Sequence, residues 1–235
     1  MINLFISMMA SIISLIGAPG SGKGTYGSLL ASRLCKALFL SVGDILREQS
    51  DENEHLSSVM LSGALVEDDL VTELVIQSLE SKRTGKNLII LDGFPRNSTQ
   101  TNLLEKWPTH LQPSLALHID VPDHICSIKI LGRRKCNICN KSWNINGVDT
   151  DGFNMPTMLP GKGTCTCKVE CNSDLHWEKR DDDTEETIRQ RFQVYHNETK
   201  PVLQYWQKKG QLLRFVPYNG VQDIDKLEKL VKQNC

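Results

Sequence analysis

The sequence predicts an α/β chain, a parallel sheet covered by helices on both faces and carrying two inserts. Short apolar runs recur along the 235 residues, separated by helix-like stretches. A glycine-rich turn directly follows the first run. Two spans, 49–69 and 135–179, break the rhythm with polar and small residues. With 40% hydrophobic and 23% charged residues, the chain suits one globular domain over 1–235.

The N-terminal sixteen residues are almost wholly apolar and resemble a secretory hydrophobic region. They lack a basic leader and run straight into glycines, so Ser11–Ile16 (SIISLI) reads as a buried strand. Met8 and Met9 offer alternative starts, which makes Met1–Ser7 a loose extension in this reading. Further strands are expected at LFL (38–40), NLIIL (87–91), LALHI (115–119) and about 211–215. No other segment approaches the roughly 18 apolar residues that span a membrane.

Helices are marked by period and punctuation. Leu29, Leu30 and Leu34 follow the glycine turn at helical spacing. Asp183 with Glu186 fits a capping box, and Pro201 and Gly210 fit the start and stop of a later helix. Cys35 and Cys126 fall in apolar patterns and read as core; Cys235 is terminal and reads as incidental. The formal net charge of -1 excludes a bulk nucleic-acid surface, so any anion site must be local.

Gly17-Ala18-Pro19-Gly20-Ser21-Gly22-Lys23-Gly24-Thr25 follows a strand and opens a helix, the context a phosphate-binding loop requires. Glycines let backbone N–H groups turn inward around phosphate oxygens, the helix N-terminus adds positive potential, and Lys23 neutralises the outer phosphates. Gly20, Ser21, Gly22, Gly24 and Thr25 complete the cradle. Gly24 stands where the general pattern has Ser or Thr, with Thr25 one later. Asp92-Gly93-Phe94-Pro95-Arg96 closes the third apolar run, so Asp92 and Arg96 emerge at the carboxyl rim where open parallel sheets bind ligands. An aspartate there can order magnesium and its waters, and an arginine can grip phosphate bidentately.

Eight cysteines are present, five of them between 136 and 171, a clustering that favours a metal site in a reducing compartment over disulfides. Cys136-Asn137-Ile138-Cys139 is a C-x2-C knuckle suited to tetrahedral zinc; Cys165, Cys167 and Cys171 follow at irregular spacing.

GAPGSGKGT, LSVGDILR (40–47), LDGFPR (91–96), LGRR (131–134), RDDDTEETIRQR (180–191) and YHNETKPVLQYW (195–206) together resemble the adenylate kinase family of nucleoside monophosphate kinases, over nearly the whole chain and in the family's order. The resemblance implies a P-loop NTPase fold with a five-stranded parallel core, a small insert at 41–70 that closes over the monophosphate and a lid at 133–181 that closes over ATP. It implies transfer of a phosphoryl group from magnesium ATP to AMP by a monomer. Carried over by motif, Arg47 and Arg96 look like ligands of the AMP phosphate, while Val42, Ala64, Leu65, Val66, Gly93, Phe94 and Pro95 look like its surroundings. Arg133, Arg180 and Arg191 look like the lid and hinge arginines that close on the phosphates with Lys23 and Arg96, and Asp182 and Asp183 like the hinge acids. Trp143 matches the lid aromatic over the ATP adenine, and Asn219-Gly220-Val221-Gln222 the loop whose backbone reads it. Lys129 stands where the family often has Arg near the same base.

Gln100 lies four residues past Arg96, where similar adenylate kinases carry Gln and pyrimidine kinases Asn. An amide can pair with the N1 and N6 edge of adenine, so Gln100 favours AMP. Val42, in place of a common Thr, and the Arg96-Asn97 pair, also seen in UMP/CMP kinases, speak for the rival acceptor. A GTP donor is a further alternative, and an inactive nucleotide-binding scaffold is the reading of another class, though Lys23 and every expected arginine are retained. Cys136, Cys139, Cys171 and Cys167 form the preferred zinc set, with Cys165 or Asp174 as other fourth ligands. A cytoplasmic setting is the default and an organelle remains compatible. No role is assigned to the lid stretch 147–163.

Overall fold

The computed structural model describes residues 10–50, 53–139, 141–160 and 176–235. The expected extension Met1–Ser7 and the candidate ligands Cys165, Cys167, Cys171 and Asp174 lie outside them. Among the described residues no helix is long and apolar enough to cross a membrane.

Five parallel strands, β1 (Ser11–Ile16), β2 (Ala37–Ser41), β3 (Leu88–Asp92), β4 (Leu115–Ile119) and β10 (Leu212–Phe215), form the main sheet in the order β10-β4-β1-β3-β2. These are the five apolar runs of the sequence. A strand covered on both faces is apolar at nearly every position, Ser14 being the buried exception in β1, which feeds both layers: Ile13 and Leu15 pack on one side, Ile12 and Ile16 on the other. Each such aliphatic side chain contributes about 1.5–3 kcal/mol on burial. The loops after β1, β3 and β4 therefore open side by side.

The helices are α1 (Lys23–Arg33), α2 (Val42–Ser50), α3 (Glu54–Ser62), α4 (Asp68–Lys82), α5 (Ser98–Leu104) and α6 (Asp123–Leu131). After the lid follow α7 (Glu185–Val194), α8 (Lys200–Lys208) and α9 (Ile224–Lys232). Asn53 caps α3 by accepting from Leu56 N, and Gly63 closes it in the left-handed region at φ 80°.

Two expectations need correction, at the cap of α7 and at Cys35. The cap of α7 is Thr184, whose side chain accepts from Thr187 N; Asp183 is completely buried one residue earlier, held by arginines. Pro201 stands in the first turn of α8 as expected, and a π-turn at Tyr195–Thr199 joins α7 directly to it. Proline has no N–H and its ring crowds the carbonyl four residues back, so the wider turn just before it keeps the helix continuous. Cys35 is exposed rather than core, because α1 ends at Arg33 and the chain turns outward before β2; Cys126 is fully buried as expected.

The lid span forms two small sheets. β5 (Arg133–Cys136) pairs antiparallel with β6 (Ser142–Asn144) and β9 (Trp177–Glu178), while β7 (Val148–Thr150) and β8 (Phe153–Met155) make a hairpin of their own. Val148, Phe153 and Met155 are buried as part of the main core. The hairpin is tied down by Asn154 N donating to Tyr218 O at 2.7 Å, by Phe153 against Tyr218 at 5.1 Å, and by His124 with Asp151 at 2.7 Å.

Candidate active site

One cleft of about 970 Å³ runs along the carboxyl rim of the main sheet. That volume is at the upper end of the range for small-molecule sites. Its floor is the loop between β1 and α1. Gly20 and Gly22 sit at φ 83° and 91°, and a Cβ on Gly20 would lie 2.4 Å from Cys126 O, so this turn needs glycine on both conformational and steric grounds. Lys23 folds back into the loop, its Nζ donating to Gly17 O at 2.8 Å and Ala18 O at 2.9 Å. Ser21 Oγ is buried with no hydrogen-bond partner among the described residues.

The electrostatics follow from crowding charges in a desolvated cleft. Burial pulls Lys23 down from 10.5 to about 8; Asp92 opposes the fall and Arg96 adds to it. Burial raises the Asp92 carboxyl, against Lys23 and Arg96, and its Oδ1 has no partner among the described residues. Arg180 is lowered to about 10 by burial, with Arg133 and Arg47 adding like-charge repulsion.

Asp183 and Asp182 offset this positive field. Asp183 Oδ1 accepts from Arg133 at 3.3 Å and stands 3.6 Å from Arg191. Asp182 pairs with Arg191; burial disfavours its charge, yet Arg191 and then Arg180 hold its carboxyl below the usual range. In α2, Arg47 pairs with Asp44 one helical turn earlier.

The sequence profile of the adenylate kinase family matches residues 15–211, most of the chain. The chain belongs to the adenylate kinase family. A GTP:AMP phosphotransferase of Plasmodium falciparum is 36% identical over 219 residues, covering 91% of this chain and 92% of the relative. An adenylate kinase of Caldicellulosiruptor saccharolyticus is 35% identical, covering 90% of this chain and 94% of its own. The probable adenylate kinase 6, chloroplastic, of Arabidopsis thaliana is 34% identical, covering 88% and 69%.

Against the adenylate kinase expectations, the cleft brings together Gly20, Ser21, Gly22, Lys23, Gly24, Thr25, Val42, Arg47, Ala64, Leu65, Val66, Asp92, Gly93, Pro95, Arg96, Gln100, Arg133, Trp143, Arg180 and Arg191. Two expected residues are not among its lining. Phe94 turns its ring fully into the core, stacked on Trp107 at 5.1 Å, and Gln222 points outward while its neighbours Gly220 and Val221 line the cleft. Cys136 is buried at the end of β5 and Cys139 follows in the turn. Among the described residues no three His, Cys, Asp or Glu stand close enough to hold a metal.

Sequence reasoning missed several participants. Met155, Pro156 and Met158 of the lid stretch line the cleft beside Gly220, whereas Lys129, which the sequence did single out, lines it too and donates its Nζ to Asn146 O at 2.9 Å. Asp44 could have been found from its (i, i+3) spacing to Arg47. The hairpin residues carry no such local signal.

The low Lys23 pKa has a measurable consequence. Phosphate charge in the loop favours the ammonium, so polyphosphate binding near pH 8.5 should take up a proton, and the uptake should shrink toward pH 6.5. Calorimetry in two buffers of different ionisation enthalpy reads this directly; buffer-independent heats at pH 8.5 would refute it. For stability the sign is opposite to that of a salt-bridged lysine. Between about 8 and 10.5 the unfolded chain holds more protons at this group, so Lys23 makes stability rise with pH across that window.

Proposed function

We propose that this chain reversibly transfers the terminal phosphoryl group of ATP to AMP, giving two ADP. The observation that carries the reading is the convergence of Lys23, Arg96, Arg133, Arg180 and Arg191 on one cleft floored by the glycine loop. Phosphoryl transfer asks little covalent chemistry of a protein: the nucleotides must be aligned, water excluded and the charge of the moving group offset. Gly20–Thr25 would cradle the donor phosphates and Lys23 would neutralise the outer ones. Arg47 and Arg96 would grip the acceptor phosphate, with Val42 and Ala64–Val66 against the base. Arg133, Arg180 and Arg191 would gather over the transferring group from the lid and hinge, with the 41–70 insert closing the acceptor side. Trp143 and the Gly220–Val221 backbone would enclose the donor base.

Magnesium carried in with ATP would supply neutralisation of the phosphate charge. Asp92 fits this ion: its Oδ1 is a hard oxygen donor, buried, facing the cleft and unpartnered among the described residues. For zinc in the lid, the C-x2-C pair Cys136 and Cys139 supplies half a donor set, with Cys167 and Cys171 proposed for the rest. Metal analysis of the purified chain should find about one zinc, lost in Cys136→Ser; a metal-free wild-type lid would remove this part of the reading.

The test is ADP formation from magnesium ATP with AMP, CMP, UMP and GMP as parallel acceptors. Gln100 predicts a strong preference for AMP; a pyrimidine preference would move the assignment to UMP/CMP kinase, and no turnover would favour the scaffold. GTP is run as donor in the same assay, because a relative bears that name. We take the chain to act as a monomer, read by sedimentation. We also take it to act in the cytoplasm, with an organelle as the alternative that the chloroplastic relative supports; imaging of a fluorescent fusion separates the two.

A further inference from the structure

Gln100 is 2% exposed, and both ends of its side chain are held by the protein. Its Oε1 accepts the backbone N–H of Arg96 at 2.7 Å, and its Nε2 donates to Asp68 Oδ1 at 2.8 Å. The same carboxylate oxygen accepts from Asn97 Nδ2 at 2.8 Å, and Asn97 Oδ1 in turn accepts from Gln100 N at 2.8 Å, capping α5. Asp68 is the first residue of α4, so one oxygen gathers two amides from across the acceptor side of the cleft.

The two partners fix which way round the amide sits. A backbone N–H can only donate, so it selects Oε1; an ionised carboxylate can only accept, so it selects Nε2. A flipped amide would face donor to donor and acceptor to acceptor at once. Each amide atom keeps one further bond: Nε2 its second hydrogen, Oε1 its second lone pair. That edge offers a donor beside an acceptor. Adenine presents the complement, an acceptor at N1 and a donor at N6. Hypoxanthine and guanine present the reverse, a donor at N1 and an acceptor at O6.

We infer that Asp68 is a specificity-determining positioning residue, which locks the orientation of the Gln100 amide and so makes the acceptor pocket select 6-amino over 6-oxo purines. Asp68 is not among the residues lining the cleft and acts through Gln100. The inference rests on the reading of the cleft as an AMP site. With Asp68 removed, the amide keeps only the Arg96 N–H to orient it. A base with the opposite pattern then loses less by binding.

The probe is inosine monophosphate, which differs from AMP only in this edge. For wild type and Asp68→Ala, kcat/KM is measured with AMP and with inosine monophosphate at saturating magnesium ATP. The AMP-to-inosine ratio should fall by about tenfold in Asp68→Ala, carried by a higher KM for AMP. Asp68→Asn, whose carbonyl still accepts but whose amide can also donate, should fall between the two. A merely structural role would lower activity toward both acceptors equally, because loss of folded protein cancels in the ratio, and an unchanged ratio overturns the inference. If Asp68→Ala does not fold, the ratio in Asp68→Asn decides in the same way. Wild type that ignores AMP altogether would instead sink the proposed function.

Discussion

Replacing Lys23 with Met is expected to leave a folded protein whose turnover falls on the order of 10³-fold. The ammonium lies inside the glycine loop, bonded to Gly17 O and Ala18 O, in the cleft that we propose takes the donor phosphates. A preorganised charge acting in a desolvated site is among the most effective contributions a side chain makes to a transition state, and losing one such group typically costs 10²–10³ in rate. Folding should suffer little. Burial already disfavours the ammonium, as its pKa near 8 shows, so an apolar side chain of similar length relieves a cost while it gives up two hydrogen bonds. The pair of measurements is ADP formation and thermal melting. Turnover within tenfold of wild type, with the melt unchanged, would remove Lys23 from the mechanism.

Asp183→Ala is expected to act on both stability and rate. Its side chain is completely buried and pairs with Arg133 and Arg191, whose side chains keep only 24% and 21% of their exposure. Removing one partner of a buried pair commonly costs 3–5 kcal/mol, because the remaining charge is left desolvated. Arg191 retains Asp182 and both arginines touch some solvent, so the lower end applies, about 3 kcal/mol. For a chain of this size that corresponds to a melting point lower by roughly 6–12 °C. Asp183→Asn keeps the shape and one acceptor and should lose less. A melt within 2 °C of wild type for Asp183→Ala would show that the pairs contribute nothing net.

Most of the framework was legible because its signals are local. Strands covered on both faces are predominantly apolar runs, as in SIISLI and NLIIL, and the glycine loop declares itself by spacing. Arg47, Arg96, Arg133, Arg180 and Arg191 could be singled out as cleft residues because they stand in ordered motifs. What escaped reading depends on partners far away in the chain. Asp68 meets Asn97 and Gln100 across 29 and 32 residues, and nothing around it distinguishes it from an ordinary acidic first turn. Asp183 looked like a cap because its local pattern fits one, but its carboxylate is fully buried beside Arg133 and Arg191, and Thr184 makes the capping bond. The π-turn before Pro201 and the outward turn at Cys35 likewise follow from packing that no short window contains.

The hairpin between Val148 and Met155 lies within the lid sequence, yet its fastenings are to the main body: Tyr218, Gly220 and His124. In energetic terms it belongs to the cooperative unit of the parallel sheet rather than to that of the small β5-β6-β9 sheet. The backbone N–H of Asn154 is bonded to Tyr218 O in the loop before α9, so its amide exchange is expected to follow that of the core rather than that of Trp143 or Trp177. The wall of the cleft formed by Met155 is thus fastened to the main body through Gly220 and the hairpin's own ties.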